Sequence, residues 1–233
     1  MDLWSQIGRQ LRQPAGMPGR VMGEVMRFAN RRPNALAIEA LEIERTDIIL
    51  ELGFGPGHAI ETLATKASGG RIYGVDQSPV MFEQAQARNR AAIRSCRIVL
   101  HQCSFDELPL GDASVDKILA VNVIYFWTNA GAVLMEARRV LRPEGVMAIY
   151  ATDAATMRHW KFAGPDTHQL FTAGELEAFL RCGGFGQDEI EVKRVRAGPG
   201  ISGLIATVRK RDAEVENLVG HESLAPFHLG GKK

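Results

Sequence analysis

The clearest chemical signal in this chain is a set of three alternating glycines: Gly53, Gly55 and Gly57. They directly follow the mostly apolar run 48–52, and a second apolar run, 72–75, ends at Asp76. Two buried strands joined through a glycine turn and a helix bring such a carboxylate close to the turn, where it can accept hydrogen bonds from paired ribose hydroxyls. The pattern therefore predicts a site for a cofactor that contains adenosine.

The glycine spacing and one acidic residue separate two candidate cofactors. A dinucleotide fingerprint reads G-x-G-x-x-G, whereas this chain reads G-x-G-x-G over residues 53–57. Glu51 would repel a pyrophosphate at the following helix N-terminus but would attract a cationic amino group. S-adenosylmethionine carries such an amine and no phosphate. Residues 49–57 and Asp76 thus resemble the first motif and the acidic end of the second strand in class I S-adenosylmethionine-dependent methyltransferases.

Strand-like and helix-like segments alternate along the chain, which is typical of a parallel sheet covered on both faces. Seven strands are predicted, at 47–52, 71–75, 97–101, 116–122, 146–151, 189–196 and 201–209. Only residues 197–200 separate the last two, which is too short for a parallel crossover. We therefore predict an α/β, doubly wound, seven-stranded and mostly parallel sheet with an antiparallel C-terminal hairpin strand, as the resembled family has.

Three regions are predicted. Residues 1–45 contain apolar residues near helical spacing, broken by prolines and glycines between Pro14 and Gly19, which indicates two short helices joined by a hinge. Such a segment would form a lid over the acceptor site. Residues 46–211 form the predicted cofactor-binding methyltransferase domain. Residues 212–233 have little apolar periodicity and are expected to form a flexible tail.

Ligands of open α/β sheets bind at the carboxyl ends of the strands. The predicted cofactor-binding residues accordingly follow the first four strands: Glu51, Gly53, Gly55, Gly57, Asp76, Gln77, Met81, Ser104, Phe105 and Asn122.

The resemblance assigns roles to some of them. Where the family often has an aspartate that receives the adenine amino group, this chain has Ser104, whose hydroxyl can still accept a bond while the Phe105 backbone N–H donates. Asp106 would substitute if the loop shifts by two residues. Met81 fits adenine contact or core packing equally. Asn122 is expected to place its backbone carbonyl near the methionyl group.

The acceptor is predicted to be a small-molecule metabolite, through an O, N, S or C atom. Enzymes that methylate the amines of nucleic-acid bases resemble [Asn/Asp]-Pro-Pro-Tyr after strand four, but Val123 and Ile124 replace both prolines here, so no nucleic-acid partner is predicted. The transfer is an in-line displacement for which a base is optional. The catalytic candidates are Tyr125, His159 and His168, each with core packing or simple exposure as the plainer alternative.

Composition limits the remaining choices. The formal net charge is +1, yet six arginines lie between residues 9 and 32, which indicates either a solvated helix face or contact with a membrane surface or an acidic substrate. No apolar run reaches the length of a membrane span and no secretory signal is visible, so we predict a cytoplasmic protein. Cys96, Cys103 and Cys182 lack C-x-x-C spacing, so no metal site is predicted and all three are expected in or near the core.

Two other functions are compatible with the sequence. A nicotinamide-dependent oxidoreductase, using NAD or NADP, shares the strand-turn-strand layout, although the glycine spacing and the terminal hairpin count against it. A non-catalytic regulator could keep the cofactor fold without acceptor chemistry, because fold alone does not fix function.

Overall fold

The computed structural model describes residues 3–12, 14, 16–164 and 167–211, without the side chains of residues 3, 5, 9 and 12. The predicted flexible tail, 212–233, lies outside the described residues. The strands are β1 (Ile48–Leu52), β2 (Arg71–Asp76), β3 (Ile98–Gln102), β4 (Val115–Val121), β5 (Leu141–Thr152), β6 (Ile190–Gly198) and β7 (Ile201–Arg209). The helices are α1 (Leu3–Arg12), α2 (Gly16–Ala29), α3 (Arg31–Ala40), α4 (His58–Lys66), α5 (Pro79–Arg88), α6 (Arg90–Arg94), α7 (Ala130–Val140), α8 (Ala154–Met157) and α9 (Ala173–Arg181).

The strands form one sheet in the order β3-β2-β1-β4-β5-β7-β6. All neighbouring pairs are parallel except those of β7, which runs antiparallel to both β5 and β6. The predicted fold class is therefore confirmed. The connections leave in opposite directions from the adjacent strands β1 and β4, so a crevice opens at their carboxyl ends, where ligands of such sheets bind.

Both faces of the sheet are buried because successive side chains of the central strands point to opposite sides. On β1, Leu50 belongs to the core cluster that includes α7 and α9 residues, while Ile49 belongs to the cluster that includes α3 and α4 residues. On β4, Ile118 and Leu119 divide in the same way. This double burial fixes the register of β1 and β4 and so fixes where the residues after them lie.

Local capping sets the helix starts near the crevice. Ser78 precedes α5, and its Oγ accepts a hydrogen bond from the Met81 backbone N–H at 3.3 Å, with Pro79 in the first turn. Thr172 and Glu175 form a reciprocal capping box at the start of α9. The Ser78-Pro79 pair and the spacing of Thr172 and Glu175 predict both helix starts from the sequence.

One predicted boundary and part of one predicted burial pattern were wrong. The fifth strand was predicted to begin at residue 146, since the Pro143 to Gly145 run is typical of a helix stop. Instead β5 begins at Leu141, because Leu141 pairs with Val115 and the Lys210 backbone exchanges hydrogen bonds with Glu144 and Gly145. The prediction of cysteines in or near the core was wrong for Cys96 and Cys182, which are exposed, whereas Cys103 is half-buried and packs against the core.

The N-terminal region differs in detail from the predicted pair of helices. Pro18 and Gly19 lie inside the first turn of α2, where a proline costs no helical hydrogen bond. A third helix, α3, buries Ala37 and Ile38 against the sheet. The division at residue 45 stays a prediction. None of the helices in the described part of the chain combines the length and apolarity that crossing a bilayer requires.

Candidate functional site

A cleft lies at the carboxyl ends of β1 to β4, with a volume of about 1250 Å³ that includes open solvent. The segments after these four strands form the floor of the cleft. Part of its wall comes from α1, from Pro14 and from α2. Nine of the ten predicted cofactor residues line it: Glu51, Gly53, Gly55, Asp76, Gln77, Met81, Ser104, Phe105 and Asn122. Residues far apart in the sequence thus meet at the predicted edge of the sheet.

The turn after β1 depends on glycine for its backbone conformation. Gly53 and Gly55 have φ values of +72° and +52°, in the left-handed region that side chains disfavour. A Cβ on Gly53 would stand 2.5 Å from Cγ2 of Val123, so this glycine also lets the segment after β4 pack closely against the turn. A Cβ on Gly55 would meet no atom nearer than 3.8 Å, because this residue borders the open cleft.

Gly57, the tenth predicted residue, is not among the residues that line the cleft. It is the N-cap of α4 with φ +80°, and a Cβ there would lie 2.8 Å from the Cβ of Ala85. The Asn89 side chain donates to its carbonyl oxygen at 3.1 Å. In this structure Gly57 therefore brings α4 and α5 together and shapes the turn indirectly.

Asp76 ties the end of β2 to the glycine turn. Its Oδ2 accepts from the Gly55 backbone N–H at 2.8 Å, and its Oδ1 accepts from the Ser78 N–H at 2.9 Å. Burial raises the pKa of Asp76, although these N–H donors oppose the rise. Carboxylate oxygens can accept more than one bond each, so Asp76 can still receive further donors from the cleft.

Glu51 is the most unusual group in the cleft. Its side chain is buried, and its Oε2 has no hydrogen-bond partner among the described residues. Burial, and secondarily the nearby Asp76 carboxylate, hold the pKa of Glu51 well above its ordinary range. A buried carboxylate that lacks a partner is costly, and such a group with a strongly perturbed pKa in a cleft is a candidate for a functional site. The position suits a ligand that brings a cation or N–H donors to this oxygen.

Replacing Glu51 with glutamine is expected to stabilise the ligand-free protein in a pH-dependent way. Because the pKa of Glu51 is higher in the folded than in the unfolded chain, the unfolded chain releases this proton first as pH rises, which favours unfolding. The stability curves of the two proteins should therefore coincide below the ordinary value of 4.5 and diverge above it, by up to about 1.4 kcal/mol per pH unit until the folded pKa is reached. Urea unfolding at a series of pH values measures this.

Glu136→Gln provides a control of opposite sign. Hydrogen bonds from Arg139 lower the pKa of Glu136, so its carboxylate stabilises the folded state above its ordinary value of 4.5 and loses that contribution as pH falls. The Glu136 variant should be less stable than the parent at neutral pH and equal in acid. Parallel stability curves for the parent and the Glu51 variant would contradict the assignment.

The residues predicted to border the adenine lie together at one end of the cleft. Gln77 Nε2 approaches Ser104 Oγ at 3.4 Å, which joins the segments after β2 and β3. Phe105 is buried against Trp127, with ring centroids 6.3 Å apart. Met81 both lines the cleft and is buried, so its position is compatible with either role left open for it. Asp106, the alternative acceptor, also lines the cleft.

Asn122 is the centre of a polar chain at the end of β4. Its φ of +53° places it in the left-handed region, which asparagine tolerates better than most residues. Its Nδ2 donates to Asn30 Oδ1 at 2.8 Å, and its Oδ1 accepts from the Tyr125 hydroxyl at 2.8 Å. Tyr125 Oη accepts from the Thr152 backbone N–H. The chain connects the loop before α3 with the ends of β4 and β5.

The three catalytic candidates are not among the residues lining the cleft. Tyr125 is buried, its hydroxyl is engaged in the polar chain, and burial raises its pKa far above the usual range. His159 is exposed. His168 is buried in contact with Phe126, at a centroid distance of 4.9 Å, and with Tyr125. Their roles in catalysis stay predictions.

Several residues that line the cleft are not among the predicted cofactor-binding residues. Leu11, Pro14, Met26 and Arg27 reach it from the N-terminal helices, and Thr128, Asn129 and Val133 reach it from the segment before and within α7. The predicted lid contains the first four of these residues, but their spacing does not show which of them reach the cleft, because tertiary packing places them there. One anchoring contact is a buried hydrogen bond of 2.8 Å from Ser78 Oγ to the Pro14 carbonyl oxygen.

Residues 50–149 match the protein family described as Methyltransferase domain. YdaC of Bacillus subtilis, named an uncharacterized methyltransferase, is 28% identical over 191 residues, which cover 82% of this chain and 98% of that protein. The malonyl-[acyl-carrier protein] O-methyltransferase of Dechloromonas aromatica is 29% identical over 150 residues, covering 61% of this chain and 53% of its own length.

Among solved structures, the phosphoethanolamine N-methyltransferase 2 of Haemonchus contortus in complex with S-adenosyl-L-methionine superposes with a TM-score of 0.71. The sequence identity is 12%, and the match covers 91% of this chain and 61% of that chain. At this identity the likeness concerns the fold alone.

Proposed function

Because this chain belongs to the class I S-adenosylmethionine-dependent methyltransferases, we propose that it binds S-adenosylmethionine in the cleft and transfers the methyl group to a small-molecule acceptor. The observation that carries the proposal is the buried, unpartnered Oε2 of Glu51 beside the glycine turn. An ammonium group would supply the donors that this carboxylate lacks and would lower its pKa.

The residues present fit this cofactor. Asp76 would accept hydrogen bonds from the ribose hydroxyls, and the side-chain-free edge at Gly53 and Gly55 leaves room for close approach. Ser104, Phe105, Gln77 and Met81 would surround the adenine.

The methionine end would lie near the polar chain. Asn122 and Asn30 both line the cleft and hold each other through a hydrogen bond, so the loop before α3 and the end of β4 are positioned as one unit. Asn34 and Arg27 line the same region and could receive the methionine carboxylate. Glu51 would meet the amino group.

Bound there, S-adenosylmethionine supplies a methyl group on a sulfonium, which needs no further activation. The contribution of the chain is to align an acceptor atom with that methyl and to exclude water. Phe126, Trp127 and Val133 line the cleft together with Thr128 and Asn129, so this part of the wall offers an apolar surface with two polar groups. Such a wall favours a small apolar or aromatic metabolite.

The nicotinamide alternative finds no support in the site. A pyrophosphate at the start of α4 would lie close to the Glu51 and Asp76 carboxylates, whose mutual repulsion already contributes to the raised pKa of Glu51. A phosphate would add to that repulsion.

Calorimetry with S-adenosylmethionine, S-adenosylhomocysteine and NAD tests the proposal. Saturable binding of the first two ligands, without binding of NAD, is the expected result. Turnover is then followed as S-adenosylhomocysteine release with a metabolite library, to which malonyl thioesters are added because one relative is named for that substrate. Failure to bind S-adenosylmethionine would refute the proposed cofactor, whereas binding without any turnover would favour a non-catalytic regulator.

A further inference from the structure

Helix α2 carries a continuous apolar stripe on its solvent side. Met17, Val21, Val25 and Phe28, here called the α2 stripe, recur at intervals of four, four and three residues, which places them on one face. Their exposed fractions are 74%, 64%, 54% and 68%. Within the described residues, the other large exposed hydrophobics are Trp4 on α1 and Met135 on α7. Exposed apolar surface is thus concentrated on the N-terminal helices.

The opposite face of α2 is fixed by packing, so the stripe cannot turn inward. Gly19 and Gly23 are buried, and a Cβ on Gly23 would lie 2.3 Å from Gln84 Oε1 on α5. Arg20 reaches α5 as well, through an ion pair with Glu83 at 3.1 Å. Met26 and Arg27 line the cleft. The helix therefore has one side committed to the protein and the other left apolar in water.

In the described part of the chain, unpaired positive charge follows the C-terminal end of the stripe, whereas Arg20 and Arg27 form ion pairs with Glu83 and Glu24. Residues 1–34 hold six arginines against two acids, although the whole chain has a formal net charge of only +1. The Arg27 guanidinium lies 4.0 Å from the centre of the Phe28 ring, and Arg31 lines the same groove as Phe28. Arg31 and Arg32 are exposed, and among the described residues no carboxylate forms an ion pair with either.

We propose that the α2 stripe, together with Arg31 and Arg32, docks this protein on the surface of an anionic phospholipid bilayer. A helix that presents apolar side chains flanked by arginines lies in the plane of such an interface, with the apolar residues in the acyl boundary and the cations at the headgroups. A second copy of the chain is a poorer occupant, because self-pairing through this face would bring two positive surfaces together. The inference goes beyond the proposed function and does not depend on it.

Co-sedimentation of the full chain with lipid vesicles tests the proposal. Vesicles of phosphatidylcholine with phosphatidylglycerol should bind the protein, vesicles of phosphatidylcholine alone should bind it at least about tenfold more weakly, and added salt should release it. Replacing Val21, Val25 and Phe28 together with serine should lower the partition coefficient by about tenfold or more. Replacing Arg31 and Arg32 with glutamine should lower it about fivefold per arginine.

Met135→Ser is the matched control, since it removes an equally exposed apolar side chain from another helix and should leave partition unchanged. Circular dichroism checks folding, and Val25→Ser alone replaces the triple variant if the latter unfolds. Calorimetry with S-adenosylhomocysteine, expected to be unchanged in the stripe variants, keeps this test separate from that of the proposed function. Absence of partition, equal partition into neutral vesicles, or a dimer in sedimentation velocity that the stripe substitutions dissociate would overturn the proposal.

Discussion

Alanine at position 55 is expected to weaken S-adenosylmethionine binding by about ten- to hundredfold while the chain still folds, because an added methyl group in a filled site costs about 1–3 kcal/mol. Gly55 borders the cleft, and the new Cβ would have no protein atom within 3.7 Å; the nearest is Met26 Cε at 3.8 Å. The methyl would therefore occupy ligand space. Gly53 and Gly57 are poorer test sites, since a Cβ on either would stand under 3.0 Å from protein atoms and disturb the fold.

Gly200→Ala separates backbone strain from ligand exclusion. Gly200 has φ +67°, similar to that of Gly55, and a Cβ there would have no neighbour within 4 Å. It lies in the turn between β6 and β7, away from the cleft. Both alanine variants should lose about 1–2 kcal/mol of unfolding free energy through the left-handed conformation, but only the Gly55 variant should lose affinity in calorimetry. Equal affinity of the Gly55 variant and the parent would show that the cofactor does not approach this turn.

Asp76→Ala is expected to raise the dissociation constant of S-adenosylmethionine at least about tenfold, since a hydrogen bond to a charged group contributes about 1.5–3 kcal/mol. The loss has two sources. The ribose hydroxyls lose their acceptor, and the backbone N–H of Gly55 loses the oxygen that holds it at 2.8 Å. Asp76→Asn keeps one side-chain oxygen and should bind with intermediate affinity.

The pH dependence of binding provides a second readout for Asp76. Burial raises the pKa of this carboxyl in the ligand-free protein, and hydroxyl donors from the ligand would lower it. Affinity should therefore increase as pH rises through the interval between the two pKa values, and this dependence should diminish in Asp76→Asn. Asp112→Ala, which removes an exposed carboxylate outside the cleft, is the control and should leave binding unchanged. An unaltered dissociation constant in Asp76→Ala would contradict the ribose assignment.

The sequence predicted the sheet and the floor of the cleft because both depend on local patterns. Residues 48–52 read as a buried strand, glycines force the turn after it, and a carboxylate ends the second strand. The rule that parallel strands place their carboxyl ends at one edge then brings Glu51, Asp76 and Asn122 together without further information.

The wall of the cleft could not be predicted in this way. Met26 and Arg27 reach it through the packing of α2 on α5, which depends on Gly23 fitting against Gln84. Pro18 suggested a hinge, yet it lies in the first turn of α2, where a proline does not interrupt the helix. Gly57 shows a related limit, because the glycine motif alone does not distinguish a residue that lines the cleft from one that lets two helices pack closely.

The strand order also governs how the chain can assemble during synthesis. Leu50 on β1 pairs with Ile118 on β4, and β7 inserts between β5 and β6 although it is made last. Pairings between such distant segments form slowly. A nascent chain that has not yet been translated through Arg209 leaves the long strand β5 with an unpaired edge, which is a template for aggregation until β7 arrives.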